Sequence, residues 1–370
     1  MSKTKSFDTR LVHTGSNPKQ HKGVVNPPIY RASTVTFPTV KDMKDAERTK
    51  FDTTFYGVHG TPTTFALEKA MAEIEGGFRA VSVASGLAAI TTALITFLKN
   101  GDHLLMVDSV YGPTRNFCNT TLKGFGVETT YYDPLIGDKI GDLIKPETRI
   151  IFTESPGSYT FEVQDIPGIV KIAKEHSIKV MIDNTWSAGY YFKPFDHGVD
   201  ISIQATTKYQ AGHADVILGH IIAQEKEDWL KLKNTAVTLG QAVAPDVCYL
   251  ALRGIRTLGV RLEEHQSSAI KIAHWLSNRP EIETVLHPAF TSCPGHEFWR
   301  RDFSGSSGLF SIILKKFSTK QVNAMLDNMD YFAMGYSWGG FESLIVPCDP
   351  TKIRSATKWN GNGPLLRIHV

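Results

Sequence analysis

No two of the four cysteines, Cys118, Cys248, Cys293 and Cys348, fall in a CxxC pair. Scattered thiols of this kind fit a reduced, cytoplasmic protein better than a disulfide framework. No leader is expected either, since "MSKTKSFDTR" has no apolar h-region. The most apolar run, "SGLAAITTALITFL", is interrupted by four hydroxyl residues and ends at Lys99. It is too short to span a bilayer and reads as a buried helix, so no membrane partner is expected. Nor is there an excess of one charge. Lys and Arg total 40 against 37 Asp and Glu, mixed throughout, which leaves no basic stripe for nucleic acid. The chain has no Gly-Lys dipeptide and hence no P-loop, and no GxGxxG or HExxH. Its thirteen histidines show no metal-ligand spacing, so no metal is expected.

What is present is a large α/β pattern. A hydrophobic content of 42% over 370 residues supports a core of two or three lobes. Residues 1–60 show little periodicity, and "VVNPPIYRASTVTFPTV" is predicted extended because Pro27, Pro28 and Pro38 block helix. This gives an extended N-terminal arm, of a kind that packs on a neighbouring subunit. From Thr63 the pattern alternates. "TTFALEKAMAEIEGG" is a helix with Leu67, Ala70, Met71 and Ile74 on one face. Strand "AVSVAS", helix "SGLAAITTALITFLKNGD" and strand "HLLMV" follow. Then come strand "RIIFTES", helix "IPGIVKIAKEHS" and strands "KVMIDN", "DISIQA" and "DVILGHIIA". Continuous apolar strands between helices predict a mostly parallel sheet buried on both faces. Residues 61–245 form this large domain. Residues 246–370 form a smaller C-terminal α/β domain, from the helical "IRTLGVRLEEHQSSAIKIAHWLSN" to "PLLRIHV". The sequence stops on that apolar strand with no polar cap, which predicts a missing C-terminal segment.

In such sheets ligands sit at the carboxyl ends of the strands. Three groups stand there. Ser85-Gly86 opens a helix after "AVSVA" and leaves backbone N–H groups for an anion, or is a plain strand-to-helix turn. Asp183 follows "VMI" and needs a partner, or caps a turn. Lys208 follows "SIQATT" and does chemistry, or snorkels from a strand end. Together they are the parts that a pyridoxal 5'-phosphate (PLP) enzyme needs: an anion cradle, an acid for the pyridine nitrogen and a lysine for the aldehyde. Tyr111, after "HLLMVDS", is placed to stack on the ring.

At this point the sequence resembles the Cys/Met-metabolism family of PLP-dependent enzymes, most closely its bacterial members that cleave cystathionine at the β-carbon. Eleven ordered motifs carry the likeness, among them "HTGSNP", "PPIYRASTVTF", "FYGVHGTPTTFALE", "DSVYGPTRNFC", "IDNTW", "SIQATTKYQAGHAD", "LRGIRTLGVRLEEH", "YSWGGFESL" and "LLRIHV". The resemblance implies the type I, aspartate aminotransferase-like fold of PLP-dependent transferases. It also implies PLP as cofactor and a homotetramer of dimers with shared active sites. Position by position, Lys208 matches the Schiff-base lysine, Asp183 the acid facing the pyridine nitrogen and Tyr111 the stacking tyrosine. Gly86, Leu87 and Thr207 match phosphate-binding positions. Tyr56 matches a tyrosine that reaches the phosphate or the leaving group from a neighbouring subunit. Arg367 matches the clamp for the substrate α-carboxylate, a task that suits a guanidinium. Tyr336, Ser337 and Trp338 match the loop beside the substrate.

Two departures stand out. The family's arginine two residues after the tyrosine of the Tyr56 motif is Val58 here, followed by His59. A phosphate-contacting serine three before the lysine is Ala205. A cationic His59 is one way to replace the lost charge. The reaction implied is β-elimination of L-cystathionine to homocysteine, pyruvate and ammonia, in methionine biosynthesis by transsulfuration. Members of the γ-synthase and γ-lyase type are similar in carrying a Glu-Ser-Leu-like segment where this chain has Tyr336-Ser337-Trp338, and the aromatic pair favours the β reaction. A non-catalytic PLP-fold regulator is disfavoured by intact Lys208, Asp183, Tyr111 and Arg367. A dinucleotide-dependent dehydrogenase lacks its glycine fingerprint.

Overall fold

The computed structural model describes residues 5–370 and contains two sheets. The strands of the first are β1 (Arg79–Val83), β2 (His103–Val107), β3 (Glu128–Tyr132), β4 (Thr148–Glu154), β5 (Lys179–Asp183), β6 (Ile201–Gln204) and β7 (Gly219–Ala223). They lie in the order β1-β7-β6-β5-β4-β2-β3. β7 runs antiparallel to both β1 and β6, and every other pairing is parallel. β2 and β7 are buried along their whole length, as a sheet covered on both faces requires. The second sheet is antiparallel, with β8 (Ile282–Leu286), β9 (Leu309–Leu314), β10 (Leu344–Cys348) and β11 (Leu365–His369) in the order β10-β11-β9-β8.

Residues up to 60 are not extended throughout. They hold α1 (Phe7–His13) and α2 (Val40–Arg48). α1 buries only Leu11 and α2 buries nothing, and they are only seven and nine residues long. α3 (Pro62–Glu75) ends at Gly76, whose φ of 84° closes the helix in the left-handed region. α4 (Gly86–Phe97) follows β1, α5 (Gly112–Phe117) follows β2, and α6 (Ile166–Glu175) links β4 to β5. After β7 come α7 (Lys226–Thr238), α8 (Pro245–Ile255) and α9 (Leu258–Ser277), with α10 (His296–Asp302) between β8 and β9 and α11 (Thr319–Leu326) between β9 and β10.

The expected division at 245/246 falls at the start of α8, yet the packing changes over later. Cys248, Ala251, Leu252 and Ile255 of α8, with Leu258 and Leu262 of α9, share a core with α3. Ala269 and Ala273, further along α9, pack instead against the second sheet. α9 therefore spans the two cores. "DVILGHIIA" is strand only from Gly219. The N–H of Leu218 bonds the Thr207 hydroxyl and its carbonyl accepts from Thr207, so the segment before Gly219 pairs with the lysine turn rather than with a strand.

Candidate active site

The first sheet delivers its polar residues to one edge. β1 leads to Ser85 and Gly86, β2 to Tyr111, β4 ends on Glu154, β5 on Asp183, and β6 leads to the Ala205–Lys208 turn. Gly86, Leu87, Tyr111, Asp183, Thr207 and Lys208 line one cavity of about 250 Å³, which Trp338 and Arg367 close from the second lobe. Among the described residues no three His, Cys, Asp or Glu side chains are grouped to hold a metal.

One end of the cavity is built to receive an anion. Ser85 caps α4: its hydroxyl accepts the Ala88 N–H at 3.0 Å and its carbonyl the Ala89 N–H at 3.0 Å. The Gly86 and Leu87 N–H groups come too early in the helix for an intrahelical acceptor, and they point out at its positive end. Glycine is required at this start. A Cβ on Gly86 would come within 2.5 Å of the Ala205 Cβ, so the helix lies directly against the lysine turn. Thr207 is differently committed. Its hydroxyl and its N–H both donate to the Leu218 carbonyl, at 3.0 and 3.1 Å, so it donates to a phosphate only by giving up a bond.

The floor carries two acids side by side. Asp183 and Glu154 sit opposite one another in the register of β5 and β4. Burial raises the Asp183 carboxyl above its ordinary range, while the Thr185 N–H, at 3.0 Å, and the charge of Lys208 favour the anion. Glu154 is buried, and burial together with the Asp183 charge pushes its carboxyl well up. Its Oε2 accepts the Tyr111 N–H at 2.8 Å and fixes the base of that aromatic side chain. Sequence reasoning missed Glu154, although an acid ending an apolar strand is the signal that singled out Asp183. It also missed Tyr159, which lines the cavity with its ring 5.9 Å from the Arg367 guanidinium.

Lys208 reaches across the cavity. Its Nζ donates to Ser337 Oγ at 2.6 Å and stands 5.0 Å from the Trp338 ring centroid. Burial, then the nearby Arg367 charge, lower its pKa to about 8, with Asp183 opposing. Ser337 is held on both sides, since Arg367 donates to its carbonyl at 3.1 Å. Its backbone is left-handed, with φ of 74°, a conformation that a non-glycine residue keeps only when its surroundings impose it. Gly339, at φ 85°, allows the loop in: a Cβ there would lie 3.1 Å from Lys208 Cα.

Three of the residues singled out in the sequence stand elsewhere. Tyr336 is 95% exposed and does not line the cavity. Tyr56 is 46% exposed and is likewise absent from the lining. His59, with Val58, faces a separate cleft of about 20 Å³ beside Glu68 and Lys233. Burial and then the Lys50 charge lower the His59 pKa, which favours the neutral ring and removes the support for a cationic His59 replacing the missing arginine.

The residues fit PLP. Free N–H groups at a helix start suit the phosphate, a strand-end acid suits the pyridine nitrogen, the Tyr111 side chain lines the same cavity, and Lys208 is an amine whose pKa is lowered to about 8. Comparison with known proteins agrees. The chain is 48% identical to the cystathionine beta-lyase of Haemophilus influenzae, over 98% of this chain and 93% of that one. It is 44% identical to the cystathionine beta-lyase MetC of Escherichia coli, over 99% and 94%. Its backbone superposes on the cystathionine gamma synthase of Xanthomonas oryzae pv. oryzae, solved with aminoacrylate and cysteine, with a TM-score of 0.90 at 28% identity, covering 99% of this chain and 94% of that one. The sequence profile of one family matches residues 8–369, and the chain belongs to it: the Cys/Met metabolism PLP-dependent enzymes.

Proposed function

We propose that this enzyme is a cystathionine β-lyase, converting L-cystathionine and water to homocysteine, pyruvate and ammonia. The observation that carries the reading is the meeting of Lys208, Asp183, Tyr111 and Arg367 in one cavity walled by Trp338. PLP, when bound, supplies a ring that takes up the electron pair released at the substrate Cα. Asp183 keeps the ring nitrogen protonated. The Gly86 and Leu87 N–H groups hold the phosphate, with Thr207 beside them, and Tyr111 covers one ring face. Arg367 spends one N–H on the Ser337 carbonyl and offers the rest of its fork to the substrate α-carboxylate. That clamp orients Cα–H toward Lys208 Nζ, which accepts the proton and has it available for the departing sulfur. Ser337 Oγ steadies the amine, and Trp338 shapes the space for the thioether.

The reading includes a homotetramer in which Tyr56 serves a neighbouring subunit, supported by its exposure and its distance from this chain's own cavity lining. It also includes a cytoplasmic location, supported by four free cysteines. Among the described residues no helix is long and apolar enough to cross a membrane. The deciding assay incubates the protein with PLP and L-cystathionine and identifies the keto acid. Pyruvate is expected. 2-Oxobutyrate as the main product would replace β- with γ-elimination.

A further inference from the structure

We propose that His220 is a positioning residue for the phosphate end of the site, tying β1 to the lysine turn and so fixing the gap between the Gly86–Leu87 N–H groups and Thr207. The proposal rests on the reading that this end takes the cofactor phosphate. Its starting point is an anomaly. "ILGHII" is an apolar run around β7, and His220 within it is fully buried. A buried polar group persists in such a strand only with both its hydrogen-bonding atoms satisfied.

Both are satisfied, and by the two walls of the site. β7 lies between β1 and β6, with His220 in register opposite Ser82 on one side and Gln204 on the other. Nε2 is 3.0 Å from Ser82 Oγ and Nδ1 is 2.6 Å from Thr206 Oγ1. Thr206 immediately precedes Thr207 and Lys208, and Ser82 lies on the strand that runs into Ser85 and Gly86. Thr206 is fully buried and Ser82 is 6% exposed, so water does not compete for these bonds. The neighbouring Gly219 reinforces the same joint, since a Cβ there would strike the Ser85 carbonyl.

The imidazole suits this role because it is neutral. Burial, aided by the Lys233 charge, lowers its pKa to about 3. A neutral ring offers one donor and one acceptor, and each flanking hydroxyl can take either part. The brace also continues outward: the Ser82 N–H donates to Glu68 Oε1 at 3.0 Å, and that carboxylate is paired with Lys233 at 2.8 Å. An aliphatic residue at 220 would suit the strand and leave the Ser82 and Thr206 hydroxyls unpaired. The cradle and the turn would then be joined by backbone alone.

The test compares PLP with pyridoxal, which has the same ring and aldehyde but no phosphate. Affinities of both for the cofactor-depleted enzyme are measured by absorbance titration, with thermal midpoints alongside. The wild type is expected to prefer PLP strongly. His220→Leu should weaken PLP about tenfold, the loss of one good hydrogen bond to the phosphate, and leave pyridoxal within about twofold. His220→Gln, whose amide also offers a donor and an acceptor, should recover most of the loss. Thr206→Val keeps the side-chain shape and removes only the hydroxyl, so it decides the matter if His220→Leu does not fold. Equal weakening of PLP and pyridoxal, or a lower midpoint with the PLP preference intact, would show a purely structural histidine and overturn the proposal alone. A wild type that does not prefer PLP would overturn the phosphate reading and this proposal with it.

Discussion

Freed of cofactor, Lys208 is expected to titrate near 8 rather than at the ordinary lysine value of 10.5. At pH 7.5 roughly a quarter of such an amine is neutral, against about one in a thousand for an ordinary lysine, a gain of roughly two-hundredfold in the reactive form. Burial is the larger cause, the Arg367 charge adds to it, and Asp183 opposes both. These signs can be separated. Arg367→Gln removes the neighbouring cation, so the midpoint should rise, yet stay below 10.5 because burial remains. Asp183→Asn removes the anion, so the midpoint should fall. The sign also fixes a stability trend. The folded pKa lies below the unfolded one, so between about 8 and 10.5 the unfolded chain binds more protons, and this group's contribution to stability rises with pH across that window. The assay is trace labelling with acetic anhydride at a series of pH values, with the Lys208 peptide quantified by mass spectrometry. A wild-type midpoint at 10.5, or two variants that shift in the same direction, would refute the electrostatic account.

Further outcomes follow from other contacts. Trp338→Ala removes the wall beside Lys208 and should lower kcat/KM for cystathionine by more than about tenfold while PLP affinity changes less than threefold; equal losses would make the loop structural. Asp108 is fully buried and binds Arg115 at 2.5 Å, the N–H groups of Ser355, Ala356 and Thr357, and the Thr357 hydroxyl. Asp108→Ala strands the Arg115 cation and should cost about 3–5 kcal/mol in urea unfolding. Burial disfavours the Asp108 anion, but the Ser355 and Thr357 bonds and Arg115 outweigh it and hold the carboxyl below its ordinary 3.8. The contribution of this group is therefore present above that value and lost as pH falls through the lower, folded one. Burial pushes the thiols of Cys118 and Cys248 up to about 12 and that of Cys348 to about 11, so native protein at pH 8 should react slowly with Ellman's reagent. A fast stoichiometric thiol would contradict the packing.

The buried strands were legible because their apolar runs have no other use. "HLLMV" is β2 residue for residue, and "KVMIDN" and "DISIQA" are β5 and β6 to within a residue at either end. Elements whose sequence carries no apolar signal were not legible. β3 is Glu-Thr-Thr-Tyr-Tyr at the sheet edge, where a single neighbour strand leaves most positions partly exposed. α7, "KEDWLKLKNTAVT", buries Asp228 and Lys233 beside Trp229 and Leu232, so its inner face looks polar until Lys179 and Glu68 are known to pair with them. The same split holds in the site. Lys208 and Asp183 announced themselves as charges at the ends of apolar strands. Ser337, Trp338 and Arg367 carry no local signal, since nothing in their own stretch says that they fold over another strand's lysine. They were reached through family resemblance alone.

That asymmetry has a physical cause in how the amine is tuned. The first sheet can place Lys208 beside Asp183 by strand register, but Asp183 by itself raises the lysine pKa, which is the wrong direction for a base. Burial opposes it most, and the charge of Arg367, on the second sheet, adds to burial. Ser337 accepts the amine's hydrogen bond and Trp338 lies 5.0 Å from it. Register in β11 sets Arg367 opposite Val346 and Ser311, so its reach to the Ser337 carbonyl depends on a sheet that shares no strand with the lysine. The left-handed Ser337 backbone is maintained where these two sheets converge, and its strain costs on the order of 1–3 kcal/mol. An amine ready to accept a proton is thus a property of the joint between the lobes, and perturbing β11 should move the Lys208 titration even where no residue of the lysine turn is touched.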